Sequence, residues 1–160
     1  EAKAAFAESM FATMDASDGV GLAAPQVGVS ERLFVIDSRA MIDEESDEQG
    51  IRKAFFNPEI LEESGEHVGY EEGCLSIPGI RENVERQPVV RIRYQDAQGK
   101  SYEETFEGMT ARVIQHEYDH IEGVLFIDRI NPLRKRLIKK RLLKVSKGEF
   151  TTTYKIKYPR

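Results

Sequence analysis

Two of the chain's three histidines stand four residues apart around a glutamate, in His116-Glu117-Tyr118-Asp119-His120. On an α-helix, residues i and i+4 sit one turn apart on one face. Both imidazoles can then converge on one cation, while the carboxylate between them reaches a water beside it. This H-E-x-x-H arrangement serves metal-dependent hydrolysis, in which a divalent cation polarises a carbonyl and acidifies water. The plainer alternative is two unrelated histidines on a helix, and the concentration of this scarce residue around one acid speaks against it.

A catalytic metal of this kind keeps three protein ligands and one open position, so the third ligand decides the class. The pattern H-E-x-x-H-x-x-G-x-x-H needs a ligand where this chain has Phe126, although Gly123 is in place. A later acidic ligand is poorly supplied, since Glu122, Asp128 and Glu149 are the only acids after His120. Upstream stand His67 and Cys74, the latter within Glu71-Glu72-Gly73-Cys74-Leu75-Ser76-Ile77-Pro78. A lone cysteine is more often a small buried apolar residue than a ligand. Cys74 follows a glycine, where backbone approach is easy, and it is preferred, with His67 left at the surface.

The elements that must position these groups are legible in part. Phe6, Met10, Phe11 and Met14 fall on one face of a helix over residues 2–14, broken by the turn residues of 15–21. The segment from Gly19 to Gly28 is built of small residues around Gln26 and reads as a loop where backbone approaches something closely. Strands are expected at 33–37, 54–60 and 89–94, the last pairing with 101–106 across Asp96-Ala97-Gln98-Gly99. Val113, Ile114, Glu117, Tyr118 and Ile121 suit a mostly buried helix over 110–121, and residues 151–158 alternate like a final strand.

One domain fits 160 residues, and 40% hydrophobic against 32% charged residues gives a chain able to bury a core. No apolar run approaches the roughly 18 residues a membrane span needs. The single cysteine excludes an intrachain disulfide and, with no signal peptide visible, the expectation is a cytoplasmic protein. Because residue 1 is Glu, a natural N-terminal segment is expected to be missing.

The net charge of −5 is unevenly spread: residues 129–147 hold nine basic residues and no acid, leaving 14 basic against 28 acidic elsewhere. Leu133, Leu137, Ile138, Leu142 and Val145 recur at helical spacing there, after the capping pair Asn131-Pro132. The plain reading is a helix packing its apolar stripe on the body; the sharper one is an anionic docking surface, RNA before membrane. The acidic run 43–48 reads as a solvated loop insertion.

Three segments together, Gly-Val-Gly-Leu-Ala-Ala-Pro-Gln at 19–26, Glu-Gly-Cys-Leu-Ser at 72–76 and Gln-His-Glu-Tyr-Asp-His at 115–120, resemble the bacterial-type peptide deformylases. The resemblance implies an α+β fold, with antiparallel β-sheets around a central metal-binding helix and here a C-terminal helix and final strand. The domain is 1–160, with a basic extension over 129–160.

The implied activity is removal of the N-formyl group from the formyl-methionine of nascent polypeptides, releasing formate. The implied ligands are Cys74, His116 and His120 around one divalent ion, ferrous iron foremost, with zinc, nickel or cobalt as substitutes. Glu117 is implied as the acid/base residue, and the Gln26 amide with the Leu75 N–H as oxyanion donors. Substrate contacts are implied at Val20, Gly21 and Gly73, and a methionine pocket at Val113 and the aliphatic part of Arg112. The simpler alternative has Arg112 pointing to solvent. Arg81 belongs at the cleft rim or on open surface. Ribosome docking through basic helix 133–147 is a further implication. Competing readings are an H-E-x-x-H metallopeptidase using His67, and a non-catalytic RNA- or ribosome-binding module with a structural metal.

Overall fold

A computed structural model describes residues 1–157. The first helix, α1 (Ala2–Ala16), forms because Ala7, Met10, Phe11 and Met14 repeat every three or four residues, giving one apolar stripe that is buried. Five strands follow in one antiparallel sheet: β1 (Gly21–Ala23), β2 (Leu33–Asp37), β3 (Arg52–Ser64), β6 (Val89–Gln95) and β7 (Ser101–Glu107), in spatial order β1-β2-β3-β6-β7. Between β3 and β6 the chain makes a separate hairpin of β4 (Val68–Cys74) and β5 (Ile77–Arg86). Two further helices complete the fold, α2 (Gly108–Ile121) and α3 (Pro132–Ser146).

Strand β2 explains why the sheet stands in the middle of the protein. Its residues alternate between two faces, and both are apolar. Phe34 and Ile36 pack with Ala111, Val113 and Ile114 of α2, while Leu33 and Val35 pack with Met10, Phe11 and Met14 of α1. The sheet is therefore clasped by α2 on one side and α1 on the other. Phe34 stacks on Phe55 and Tyr94 meets Phe55 at a tilt, with ring centroids 4.8 and 4.5 Å apart, each pair adding about 0.5–1.5 kcal/mol beyond its buried area. A third cluster, Ile77, Ile80 and Val84 with Phe126, Ile130 and Ile138, fastens the β4–β5 hairpin to α3 and the turn before it. Helix α2 packs on the sheet and meets the hairpin at Glu72 through Arg112 and His116, so it lies between the two, as the α+β expectation required.

Four local expectations change. Residues 68–86 form a hairpin that the hydrophobic pattern did not announce, because the inward positions of β5 include the charged Glu82 and Arg86. Residues 151–157 form no strand: the alternation is real, with Thr152, Tyr154 and Ile156 half-buried, but no neighbouring strand pairs with it; residue 158 of that expected strand lies outside the described residues. The apolar stripe of α3 is split, Ile138 being buried with Leu142 and Val145 packed beside it while Leu133 and Leu137 are exposed. The acidic run is not wholly solvated either, since Glu48 Oε1 accepts the Thr110 N–H at 3.1 Å and so caps the start of α2.

Candidate metal centre

The two histidines face one side of α2, and Cys74 reaches them from the end of β4, where a two-residue turn, Leu75-Ser76, leads into β5. The sulfur lies 3.2 Å from His120 Nε2. One ligand atom each from Cys74, His116 and His120 lies within 4.8 Å of the others. Tetrahedral coordination at usual zinc–sulfur and zinc–nitrogen lengths places such atoms about 3.3–3.6 Å apart, so the three donors fit one first-row divalent ion with little movement. His67, the competing ligand, is exposed in the turn between β3 and β4 and takes no part.

The charges agree with a cation at this point. Burial opposes ionisation of the Cys74 thiol, but hydrogen bonds from His116 and His120 outweigh it and bring it down to about 5. Burial likewise opposes charge on His116, and the thiolate and Glu72 outweigh that, lifting it to about 10. Without metal, the site balances its thiolate with imidazole protons, which a divalent ion would displace.

His116 Nδ1 meets Glu72 Oε1 at 2.8 Å. A carboxylate can only accept here, so Nδ1 carries the proton and Nε2 is free to ligate. Glu72 is itself buried and gripped by Arg86 at 2.7 and 3.0 Å and by Arg112 at 2.7 Å. Arg86 continues to Asp119 at 2.9 Å, and Arg129 closes the far side of Asp119. Sequence reasoning missed this array of Glu72, Arg86, Asp119 and Arg129. Its one signal was charged residues at inward-facing positions of β5 and α2.

Glu117 points from the same helix into the cleft. It is buried, its Oε2 is without a hydrogen-bond partner, and burial pushes its carboxyl up to about 7 against the pull of both histidines. A buried carboxylate oxygen left open is suited to a water or substrate atom. Gly21 makes room for it, since a Cβ there would sit 2.7 Å from Glu117 Cδ.

Gln26 is fixed by its neighbours. Its Oε1 accepts the Ala23 N–H at 2.9 Å, which turns Nε2 toward Ser76 Oγ at 3.0 Å and Cys74 Sγ at 3.6 Å. Leu75 sits in the turn directly after the cysteine. Val20, Gly21, Gly73 and Val113 line the same cleft.

Arg112 lines it too, but neither as a bare aliphatic wall nor toward solvent. It is 7% exposed, and its guanidinium donates to Glu72 and to the carbonyls of Val84 and Val68, 5.4 Å over the Tyr70 ring. Tyr70 is thereby a wall residue that the motifs did not indicate. Arg81 lies at the rim, largely exposed, paired with Glu71 at 3.3 Å.

With this geometry in place, comparison with known proteins is informative. The sequence model of the family described as polypeptide deformylase matches residues 1–136. Among curated relatives, the peptide deformylase of Cytophaga hutchinsonii is 54% identical over 150 residues, covering 94% of this chain and 80% of that protein. That of Christiangramia forsetii is 49% identical, covering 94% and 81%. Among solved structures, a plant peptide deformylase PDF1B superposes with a TM-score of 0.84 at 37% identity, over 92% of this chain and 78% of the other. The peptide deformylase of Thermotoga maritima gives 0.70 at 48% identity, over 80% of each chain. Sequence motifs, fold and site agree, and the chain belongs to the peptide deformylase family.

Proposed function

We propose that the chain, acting as one catalytic domain, hydrolyses the N-formyl group of nascent polypeptides with Cys74, His116 and His120 as metal ligands and Glu117 as the proton carrier. The observation that carries the reading is the convergence of one thiolate and two imidazoles beside a buried carboxylate with an open oxygen. The family's metal supplies Lewis-acid polarisation of the formyl carbonyl and acidification of water; ferrous iron is the proposed ion, and a Cys/His/His donor set also accepts zinc, nickel or cobalt.

The chain's own groups perform the remaining work. Glu117 takes a proton from the attacking water and delivers it to the nitrogen as the carbon–nitrogen bond breaks. Formate and a free amino terminus leave. A carboxyl near pH 7 suits both halves of that transfer. The Gln26 Nε2 amide and the Leu75 N–H donate to the oxygen that gains negative charge. The substrate backbone lies extended along Val20, Gly21 and Gly73, and its methionine enters beside Val113, Tyr70 and the ring-stacked face of Arg112.

The nascent chain emerges from the ribosome, and α3 offers a docking face: Leu133, Leu137 and Leu143 are exposed among Arg136, Lys139, Lys140 and Lys144. Co-sedimentation with ribosomes, lost on reversing those charges, tests this contact. The bacterial cytoplasm is the compartment where this substrate arises.

The reaction is tested by formate release from a formyl-methionyl peptide, with protein prepared anaerobically and loaded with ferrous iron or nickel. Release should require the metal and should disappear in Glu117→Gln. Absence of release from folded, metal-loaded protein overturns the reading.

A further inference from the structure

The stretch after α3 lies outside residues 1–136, which the family model matches, yet it returns to the catalytic cleft. Thr152, Tyr154 and Ile156 face the body, while Thr151, Thr153, Lys155 and Lys157 are exposed, so the tail lies across the surface as a strap. Tyr154 lines the same cleft as Cys74, Leu75 and Glu117. Its hydroxyl donates to the Leu75 carbonyl at 2.8 Å.

That carbonyl belongs to the central peptide of the two-residue turn between Cys74 and Ile77, which are paired across the hairpin. In a trans peptide the C=O and the following N–H lie in one rigid plane and point opposite ways. The N–H here is that of Ser76, and it donates to Cys74 Sγ at 3.4 Å. One peptide plane is thus held at both ends, by a phenol at the oxygen and by a metal-ligand sulfur at the hydrogen. The Leu75 side chain is wedged on the opposite wall, where a Cβ on Gly19 would meet its Cδ1 at 2.9 Å.

We propose that Tyr154 is a positioning residue for deformylation, which locks the Leu75–Ser76 peptide so that the Ser76 N–H faces the Cys74 sulfur. The inference rests on the ligand and donor roles given above. The central peptide of a two-residue turn has two orientations related by a flip, and turn types differ by that rotation. The flipped orientation would aim the Leu75 oxygen at the thiolate and take the Ser76 N–H away from it. Tyr154 favours only the unflipped one. Its ring also lines the cleft beside the turn.

The test compares wild type with Tyr154→Phe, which keeps the ring and loses the hydroxyl, and Tyr154→Leu, which loses both. Four quantities are read: kcat and KM of nickel-loaded protein on a formyl-methionyl tripeptide, the thiolate-to-metal charge-transfer band of cobalt-loaded protein, and amide exchange of Ser76 in zinc-loaded protein. One neutral hydrogen bond corresponds to a change of about 2- to 12-fold. For Tyr154→Phe, kcat should fall by about that factor with KM little changed, Ser76 exchange should rise by a similar factor, and the band should shift. Tyr154→Leu should raise KM as well.

Wild-type values of band and Ser76 exchange in Tyr154→Phe overturn the proposal. So does a loss of rate that only follows a loss of thermal stability, with band and exchange unmoved. If wild-type protein releases no formate, the site reading fails instead, and band and exchange still decide what Tyr154 does.

Discussion

The buried carboxylate of Glu72 can be tested at one atom. In Glu72→Gln the side chain keeps its shape but exchanges a carboxylate oxygen for an NH2 group. Oε1 now accepts from Arg86 and His116, and Oε2 from Arg86 and Arg112. Whichever way the amide is turned, its NH2 faces two donors. Arg86 retains Asp119, but Arg112, with a side chain 8% exposed, would keep only carbonyls around a full positive charge. Removing one partner of a buried ion pair costs about 3–5 kcal/mol. For a chain of this size each kcal/mol lowers Tm by about 2–4 °C, so a fall of about 6–20 °C is expected. His116 loses the acceptor that sets its tautomer, and metal affinity should fall about 10- to 100-fold. Thermal melting by circular dichroism and chelator competition measure the two effects. The double variant Glu72→Gln/Arg112→Met removes the stranded charge and should recover part of the stability without restoring metal affinity. Melting within about 2 °C of wild type, together with unchanged chelator competition, would refute the claim that this network supports the site.

Further outcomes follow from the same geometry. Gly21→Ala should depress kcat far more than stability, because its Cβ would lie 2.7 Å from Glu117 Cδ and displace the proton carrier; steady-state kinetics beside a melting curve separates the two. Glu48→Ala removes the side-chain acceptor for Thr110 N and should destabilise by about 0.5–2 kcal/mol in denaturant titration, the usual scale for a lost helix cap. Hydrogen bonds from Arg39 outweigh the burial of Asp37 and, with Arg52, hold its carboxyl well below the usual range. A depressed carboxylate contributes stability above its unfolded pKa of about 3.9 and loses it as pH falls through the folded value. Asp37→Asn should therefore flatten the loss of stability below pH about 4, and an unchanged acid limb of the stability curve would contradict that assignment.

Legibility followed the kind of signal each element carries. Helix α1 and strands β2 and β6 could be read because their buried positions are apolar, β7 because the half-buried Tyr102 and Phe106 alternate with exposed residues, and α2 because Val113, Ile114, Tyr118 and Ile121 recur at helical spacing although Arg112, Gln115, Glu117 and Asp119 are buried beside them. The hairpin holding Cys74 could not. In β5 residues 80, 82, 84 and 86 all face inward, and two of them are Glu82 and Arg86, buried against Arg134, Glu72 and Asp119. A hydrophobic alternation filled half with charges does not register as one. The tail over 151–157 erred the other way: its alternation is that of a strap lying on the body, not of a paired strand.

The sequence by itself pointed to a metal site, because two histidines one helical turn apart meet on one face wherever the helix lies. It also narrowed the third ligand to Cys74 or His67 with Cys74 preferred, and the resemblance carried by three short segments implies Cys74 as well. Tertiary structure alone decided what holds those groups. Glu72 reaches His116 across 44 positions, Gln26 reaches Cys74 across 48, and Tyr154 reaches Leu75 across 79. Contacts between residues so distant along the chain are set by how sheet, hairpin and tail pack, and no local spacing encodes them. The burial that lifts Glu117 toward neutral pH and the pairing that keeps Arg112 inside the cleft wall are properties of that packing, not of either residue.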